Sequence, residues 1–307
     1  MHKDPTRPKV ISLKEAIATH VHDGDTVVIE GFTHLICFAA GHEIIRQGRR
    51  DLTLCRLTPD LIYDQMIAAG VARKLVFSWA GNPGAGSLHA FRRAVEGKGA
   101  APLEIEEYSH FGMVARISAG AAHLPFWTMR NYMGTDLPVA NPRIRTVLCP
   151  YTGESLATVP ALNPDVTIIH AQRADSQGNS QVWGLLGVQK EAAFASKRVI
   201  VVVEELVDET VIRSDPNRTL IPGMIVDAVV VEPWGAHPSY AQGYYDRDND
   251  FYVAWEPISR DPALLARYLD EYVHDVPDRA AYMAKQPEIA ERLRAGEQMS
   301  QPVNYGY

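Results

Sequence analysis

The stretch that most constrains this chain runs from Thr26 to Gly48, TVVIEGFTHLICFAAGHEIIRQG. It opens with a β-branched apolar run, Thr26-Val27-Val28-Ile29, which reads as a buried strand. The chain turns at Glu30-Gly31-Phe32 and then reads as a helix over about 38–47. Gly48 stops that helix, and Arg46, Arg49 and Arg50 sit at the negative end of its dipole. A strand leading through a glycine turn into a helix is the unit from which parallel α/β sheets are built, and such sheets seat ligands beyond the carboxyl ends of their strands. Gly31 marks a position that needs a positive φ or a close approach of backbone to something else.

The alternation continues along the chain. Strands are expected over 52–57, 74–79, 103–108, 166–170, 198–203 and 225–231. Helices are expected over 11–20, with Ser12 as its cap, and over 59–69, 113–123 and 185–196. From Asp261 an amphipathic helix places Leu264, Leu265, Tyr268, Leu269, Tyr272 and Val273 on one side. Residues 128–148 show no period and carry Gly134, Pro138 and Pro142, which reads as a long functional or interfacial excursion. The expected fold is α/β: an open, mostly parallel sheet with flanking helices, one domain over residues 1–307, with a helical C-terminal extension from about residue 257.

Several function classes are disfavoured. The net charge of −7 argues against a nucleic-acid surface. The three cysteines, Cys37, Cys55 and Cys149, match no zinc or redox spacing, and no His/Asp/Glu cluster has metal spacing. No G-x-S-x-G nucleophile elbow occurs. The segment Ala80-Gly81-Asn82-Pro83-Gly84-Ala85-Gly86-Ser87 is rich in glycine, like a phosphate-cradling loop, but its spacing is that of neither G-x-G-x-x-G nor a P-loop. The N-terminus, MHKDPTRPKV, has no apolar signal core, and no apolar run reaches the roughly 18 residues of a membrane span. A cytoplasmic protein without membrane contact is expected.

A set of short segments together resembles family I coenzyme A transferases, in the α-type subunit. They are Asp23-Gly24-Asp25-Thr26-Val27-Val28-Ile29-Glu30-Gly31-Phe32, Glu106-Glu107-Tyr108-Ser109, Pro164-Asp165-Val166 with Ala174-Asp175-Ser176-Gln177-Gly178-Asn179, Val203-Glu204-Glu205-Leu206-Val207, and Gly235-Ala236-His237-Pro238 with Tyr244-Tyr245-Asp246. The last is most similar to the α-type subunit of the glutaconate CoA-transferase group, and the resemblance spans roughly residues 10–255. It implies a CoA-transferase-like fold related to sugar-phosphate isomerases. It also implies a β-type partner subunit of similar fold in an α2β2 or larger assembly, with the coenzyme A thioester as substrate and no bound cofactor or metal. The nucleophile it implies is a glutamate of the β-type subunit. That glutamate takes the acyl group as an anhydride, becomes a glutamyl-CoA thioester, and passes coenzyme A to the acceptor carboxylic acid. The same assembly could instead hydrolyse acyl-CoA, cleave a carbon–carbon bond or decarboxylate. A reading from a different class is a non-catalytic ligand sensor or sugar-phosphate-binding domain.

Substrate contacts are expected from Gly31, Phe32, Thr33 and His34 at the first turn, from Gly81, and from Ser109 and His110 at the mouth of the fourth strand. No residue of this chain is assigned as the catalytic nucleophile. The carboxylates that could take part are Glu30, Glu106 and Glu107; strand alternation lets only one of the latter two face a cleft. Glu30 stands where the family commonly has glycine, in Gly-Gly-Phe, and the proline usual after the turn is missing at Cys37-Phe38. A carboxylate at that strand exit would narrow the acyl pocket, add negative charge, and, in a dry site, titrate near neutral pH.

Overall fold

The computed structural model of the protein describes residues 9–83, 85–99 and 102–295. The chain starts with α1 (Leu13–His20) and β1 (Thr26–Glu30), then alternates through α2 (Phe38–Arg46), β2 (Leu52–Cys55), α3 (Leu61–Ala68), β3 (Ala72–Phe77), α4 (His89–Val95) and β4 (Glu104–Glu107). From α5 (His110–Ala121) it runs into β5 (Phe126–Met129), the single turn α6 (Leu137–Ala140), β6 (Arg145–Leu148) and β7 (Ser155–Pro160). It returns as β8 (Val166–Ala174), the two-residue β9 (Ser180–Gln181), α7 (Gln189–Ala195), β10 (Arg198–Leu206), α8 (Glu209–Ser214), β11 (Thr219–Ile221) and β12 (Ala228–Val231). Within the described residues four α-helices follow, α9 (Asn249–Arg260), α10 (Pro262–Leu269), α11 (Arg279–Ala284) and α12 (Pro287–Leu293), with a π-helical turn over Asp270–His274 between α10 and α11.

Seven strands pair in parallel in the order β12-β10-β8-β1-β2-β3-β4, and the short β9 and β11 add an antiparallel flap. β1 is central: Val28 lies opposite Cys55 on one side and Thr167 on the other. A strand covered on both faces has no solvent side, which is why it is β-branched and apolar without alternation. Val27 and Ile29 pack into a core with α1 to α4, α9 and α10, while Val28 packs with α5 and α7 on the opposite face. Each such side chain, fully buried, contributes roughly 1.5–3 kcal/mol. α5 is rich in small residues because it lies close against α7: a Cβ on Gly120 would sit 3.0 Å from the Ala195 methyl.

The α/β fold and its mostly parallel sheet are as expected, and three details differ. Residues 126–160 are not an unstructured excursion but a separate antiparallel sheet in the order β5-β7-β6. Every residue of β6 is exposed, so the strand carries no burial alternation to read. The helix expected over 185–196 begins only at Gln189, and 184–188 is a loop. The C-terminal helices start earlier than Asp261, with α9, which carries Pro257 in its interior and is capped by the Asp248 carboxylate. Asp261 caps α10 as expected. Residues 296–307 of the expected extension, and Met1–Pro8 with the absent signal core, lie outside the described residues. Among the described residues no helix is long and apolar enough to cross a membrane.

Candidate active site

The strand order reverses between β1 and β8, with β2 to β4 on one side and β10 and β12 on the other. In open α/β sheets the crevice beyond the carboxyl ends at such a reversal is where ligands seat. β1 delivers Glu30 there, in register with Ile169 of β8. The Glu30 side chain is buried and its Oε2 has no hydrogen-bond partner. Burial pushes the carboxyl up to about 7; the nearby Arg56 guanidinium and a hydrogen bond from the Gly31 backbone pull the other way without cancelling it.

Arg56 follows β2 and is committed elsewhere. It donates to the Gly31 carbonyl at 2.5 Å and to Asp60 Oδ1 at 2.9 Å, while its Nε and Asp60 Oδ2 are left without partners. On the α7 side, Gln189 Oε1 accepts from the Gly187 N–H at 2.6 Å, and Gln189 Nε2 has no acceptor. Gly187 lies against Glu30: a Cβ there would be 3.2 Å from Glu30 Oε1 and 3.1 Å from the Phe32 Cβ. Buried polar atoms are nearly always paired, so these atoms at the ligand-side crevice have room for a water or a ligand as their partner.

Gly31 is required for packing, not for φ. The chain turns back on itself, and a Cβ at Gly31 would meet the Leu35 and His34 carbonyl oxygens at 2.6 and 2.7 Å. The left-handed conformations fall on Thr33 and Leu35, at φ 56° and 55°. Ser239 Oγ donates to the Thr33 carbonyl, and the Leu35 N–H donates to Tyr240 O. His34 is fully buried, stacks on Tyr240, faces the Leu185 carbonyl with Nδ1 at 3.0 Å, and accepts the Gln242 N–H at Nε2. Desolvation lowers its pKa to about 4, so it is a neutral brace with both nitrogens occupied. It clamps the turn to the 185 loop and offers no free donor to a substrate.

Phe32 and His110 meet across the mouth with ring centroids 6.1 Å apart. Ser78 Oγ donates its one hydrogen to the Leu57 carbonyl at 2.6 Å, so the 3.0 Å contact with His110 Nδ1 puts the hydrogen on that nitrogen. Ser109 caps α5 by accepting from the Gly112 N–H, and its hydroxyl also contacts Tyr132 and Asn131. Gly81 sits against the Trp79 indole and donates its N–H to the Pro59 carbonyl. In the same loop the Ser87 N–H is taken by Glu256, which also pairs with His89, so a carboxylate of the chain itself holds the position a phosphate would want.

The structure separates the three candidate carboxylates. Glu106 lies three strands from Glu30, about 14 Å at normal strand spacing. It is held by Lys74 at 2.5 Å, Tyr108 at 2.6 Å and Arg116 at 2.8 Å. Burial alone would raise its pKa, but these partners outweigh it and hold the carboxyl below the usual value. Glu107 is exposed, and its carbonyl rather than its side chain receives Asn141. Phe32, Ser78, Ser109 and His110 thus gather at one mouth and Glu30 below it. Arg56, Asp60, Ser78 and Gln189 do not stand out from sequence. Only Arg56 carries a local signal, a cation directly after an apolar strand.

Against known proteins, a family described as Coenzyme A transferase matches residues 10–232. The chain is 54% identical over 277 residues to the A-type subunit of the 3-oxoadipate CoA-transferase of Pseudomonas knackmussii, covering 90% of this chain and 98% of that one. It superposes on the crystal structure of glutaconate coenzyme A-transferase from Acidaminococcus fermentans with a TM-score of 0.88 at 32% identity, covering 96% of this chain and 98% of that one. It is also 29% identical over 280 residues to the cholesterol ring-cleaving hydrolase IpdA subunit of Rhodococcus jostii, covering 87% and 92% of the two chains.

Proposed function

This chain belongs to the coenzyme A transferase family, and from that premise we propose that it is the A-type half of a two-subunit enzyme that moves coenzyme A from an acyl-CoA to an oxo-dicarboxylic acid of the 3-oxoadipate kind. The observation that carries this reading is the 54% identity to the A-type half of a 3-oxoadipate CoA-transferase, across nearly the whole of both chains. The assembly is α2β2 or larger and uses coenzyme A thioesters as substrates without a bound cofactor.

A glutamate from the B-type partner attacks the thioester carbonyl of the donor, forming an acyl–glutamyl anhydride and releasing the coenzyme A thiolate. The thiolate attacks the glutamyl carbonyl, which frees the donor acid and leaves a glutamyl-CoA thioester. The acceptor carboxylate attacks that thioester and the thiolate leaves again, attacking now the acceptor's carbonyl, so that acyl-CoA forms and the glutamate carboxylate is restored. This chain contributes the acyl-binding wall around Phe32 and the polar mouth at Ser78 and His110, whose Nδ1 hydrogen is committed to Ser78 and whose Nε2 is left for a ligand.

The test is to purify the chain alone and with its B-type partner, and to assay both with succinyl-CoA and a panel of acids. The reading expects transfer to 3-oxoadipate by the complex and none by the isolated chain. Exchange by the homogeneous chain alone would overturn the division of labour. Release of coenzyme A at the same rate without any acceptor acid would move the assignment to hydrolysis.

A further inference from the structure

The most unusual feature of the crevice is that two buried side chains from opposite sides of it both present unpaired polar atoms. Gln189 is fixed at its Oε1 by the Gly187 N–H, which leaves Nε2 as a donor without an acceptor. Glu30 Oε2 is unpaired as well, and the approach of Gly187 to Glu30 Oε1 brings the two side chains to one spot. Both residues are buried to within 1%. We propose that Glu30 and Gln189 form the polar end of the acyl subsite and together recognise an uncharged carbonyl oxygen on the acyl chain, such as a 3-oxo group; this rests on the transferase reading above.

The chemistry selects the ligand. A ketone oxygen has two lone pairs and no hydrogen, so it suits two converging donors. Gln189 Nε2 supplies one. Glu30 supplies the other when protonated, which its dry surroundings favour up to about pH 7. A carboxylate in the same place would face Glu30 and Asp60, and a methylene would leave both donors unpaired in a desolvated site. The charge state of Glu30 is set first by its burial, then by Arg56 after β2, the Gly31 N–H and Asp60 before α3; Tyr63 on α3 faces the same spot with its hydroxyl on the Ile29 backbone, and the α7 side offers the uncharged Gln189. The loop over the spot, Gly184-Leu185-Leu186-Gly187, turns two exposed leucines to solvent beside Phe32.

The experiment measures kcat/KM of the assembled two-subunit enzyme for 3-oxoadipate and for adipate, with succinyl-CoA as donor, between pH 6 and 9. The wild-type ratio of the two is expected to be large and to fall as pH rises through about 7, because Glu30 loses the hydrogen it donates. Gln189→Glu keeps the oxygen that holds Gly187 and removes the donor; it should lower the ratio about tenfold or more. Gln189→Met tests the same point should the first variant fail to assemble. Glu30→Gln puts a permanent N–H donor in place and should make the ratio independent of pH. Transfer with an unchanged ratio in the Gln189 variants, and with the same pH profile in Glu30→Gln, would overturn the subsite and leave a buried water as the occupant. No transfer to any acid by the wild-type complex would instead overturn the transferase reading on which the subsite rests.

Discussion

Glu30 ends β1 at the centre of the sheet, and Glu106 belongs to β4 at its edge; both are buried glutamates near the carboxyl ends of parallel strands. At the edge, long cationic side chains surround the carboxylate, from the buried Arg116 to the half-exposed Arg143. Lys74, Arg116 and the half-exposed Arg143 all converge on Glu106, and Tyr108 adds a hydroxyl. At the centre, strands wall Glu30 on both sides and helices cover both faces. Its one nearby cation, Arg56, has already committed its amino groups to Gly31 and Asp60. The same side chain is therefore a satisfied support in one place and a poised, titratable group in the other. Access for partners, not residue type, decides which.

The largest effect should come from breaking the satisfied member. Glu106→Ala leaves Arg116 buried without its carboxylate and should cost about 3–5 kcal/mol, read as a lower urea midpoint of the assembled complex. The acid preference of whatever complex survives should be that of the wild type. A shifted preference at unchanged stability would restore Glu106 as a site residue.

The poised member should give the opposite sign. Glu30 has a folded pKa near 7 against an ordinary value of 4.5, so its stabilising contribution is complete below about pH 4.5, declines as pH rises, and is gone above 7. Glu30→Gln cannot ionise. It should match the wild type near pH 4.5 and exceed it by about 3 kcal/mol at pH 8. Glu106 slopes the other way, losing its contribution as pH falls below the carboxylate range. Urea unfolding at pH 5 and pH 8 checks this, and parallel wild-type and Glu30→Gln curves would show that Glu30 is ionised throughout. The smallest effect belongs to Glu107→Gln, where an exposed side chain without structural bonds should shift stability by less than about 0.5 kcal/mol. A larger loss in the same assay would mean that Glu107 is covered in the assembly.

The parts of this molecule that are legible in its sequence are those where burial is uniform. β1, β2, β12 and the middle of β10 are apolar runs because helices cover both faces, and Ser12 and Asp261 announce α1 and α10 through their capping oxygens. β6 is illegible because nothing covers it. Glu30 stands out because it replaces the first glycine of the family's Gly-Gly-Phe and directly precedes Gly31. Gln189 does not, since its role depends on Gly187 and on a glutamate 159 positions away in the sequence, at the end of another strand (189 − 30). Position alone makes His34 a donor to substrate, and only the Leu185 and Gln242 backbone, far along the chain, reveals it as a brace.

The reversal of strand order beside β1 also constrains how the molecule is made. β1 gains its first neighbour, β2, within 30 residues, but its second, β8, begins at Val166. At roughly 5–20 residues per second of synthesis, on the order of ten seconds separate the two pairings. Through that interval the most apolar strand of the early chain is an open edge, with bare N–H and C=O groups of the kind that recruit foreign strands. Any fragment ending before residue 166 carries that edge permanently, so this protein cannot be shortened from its C-terminal side past β8 without exposing its own centre.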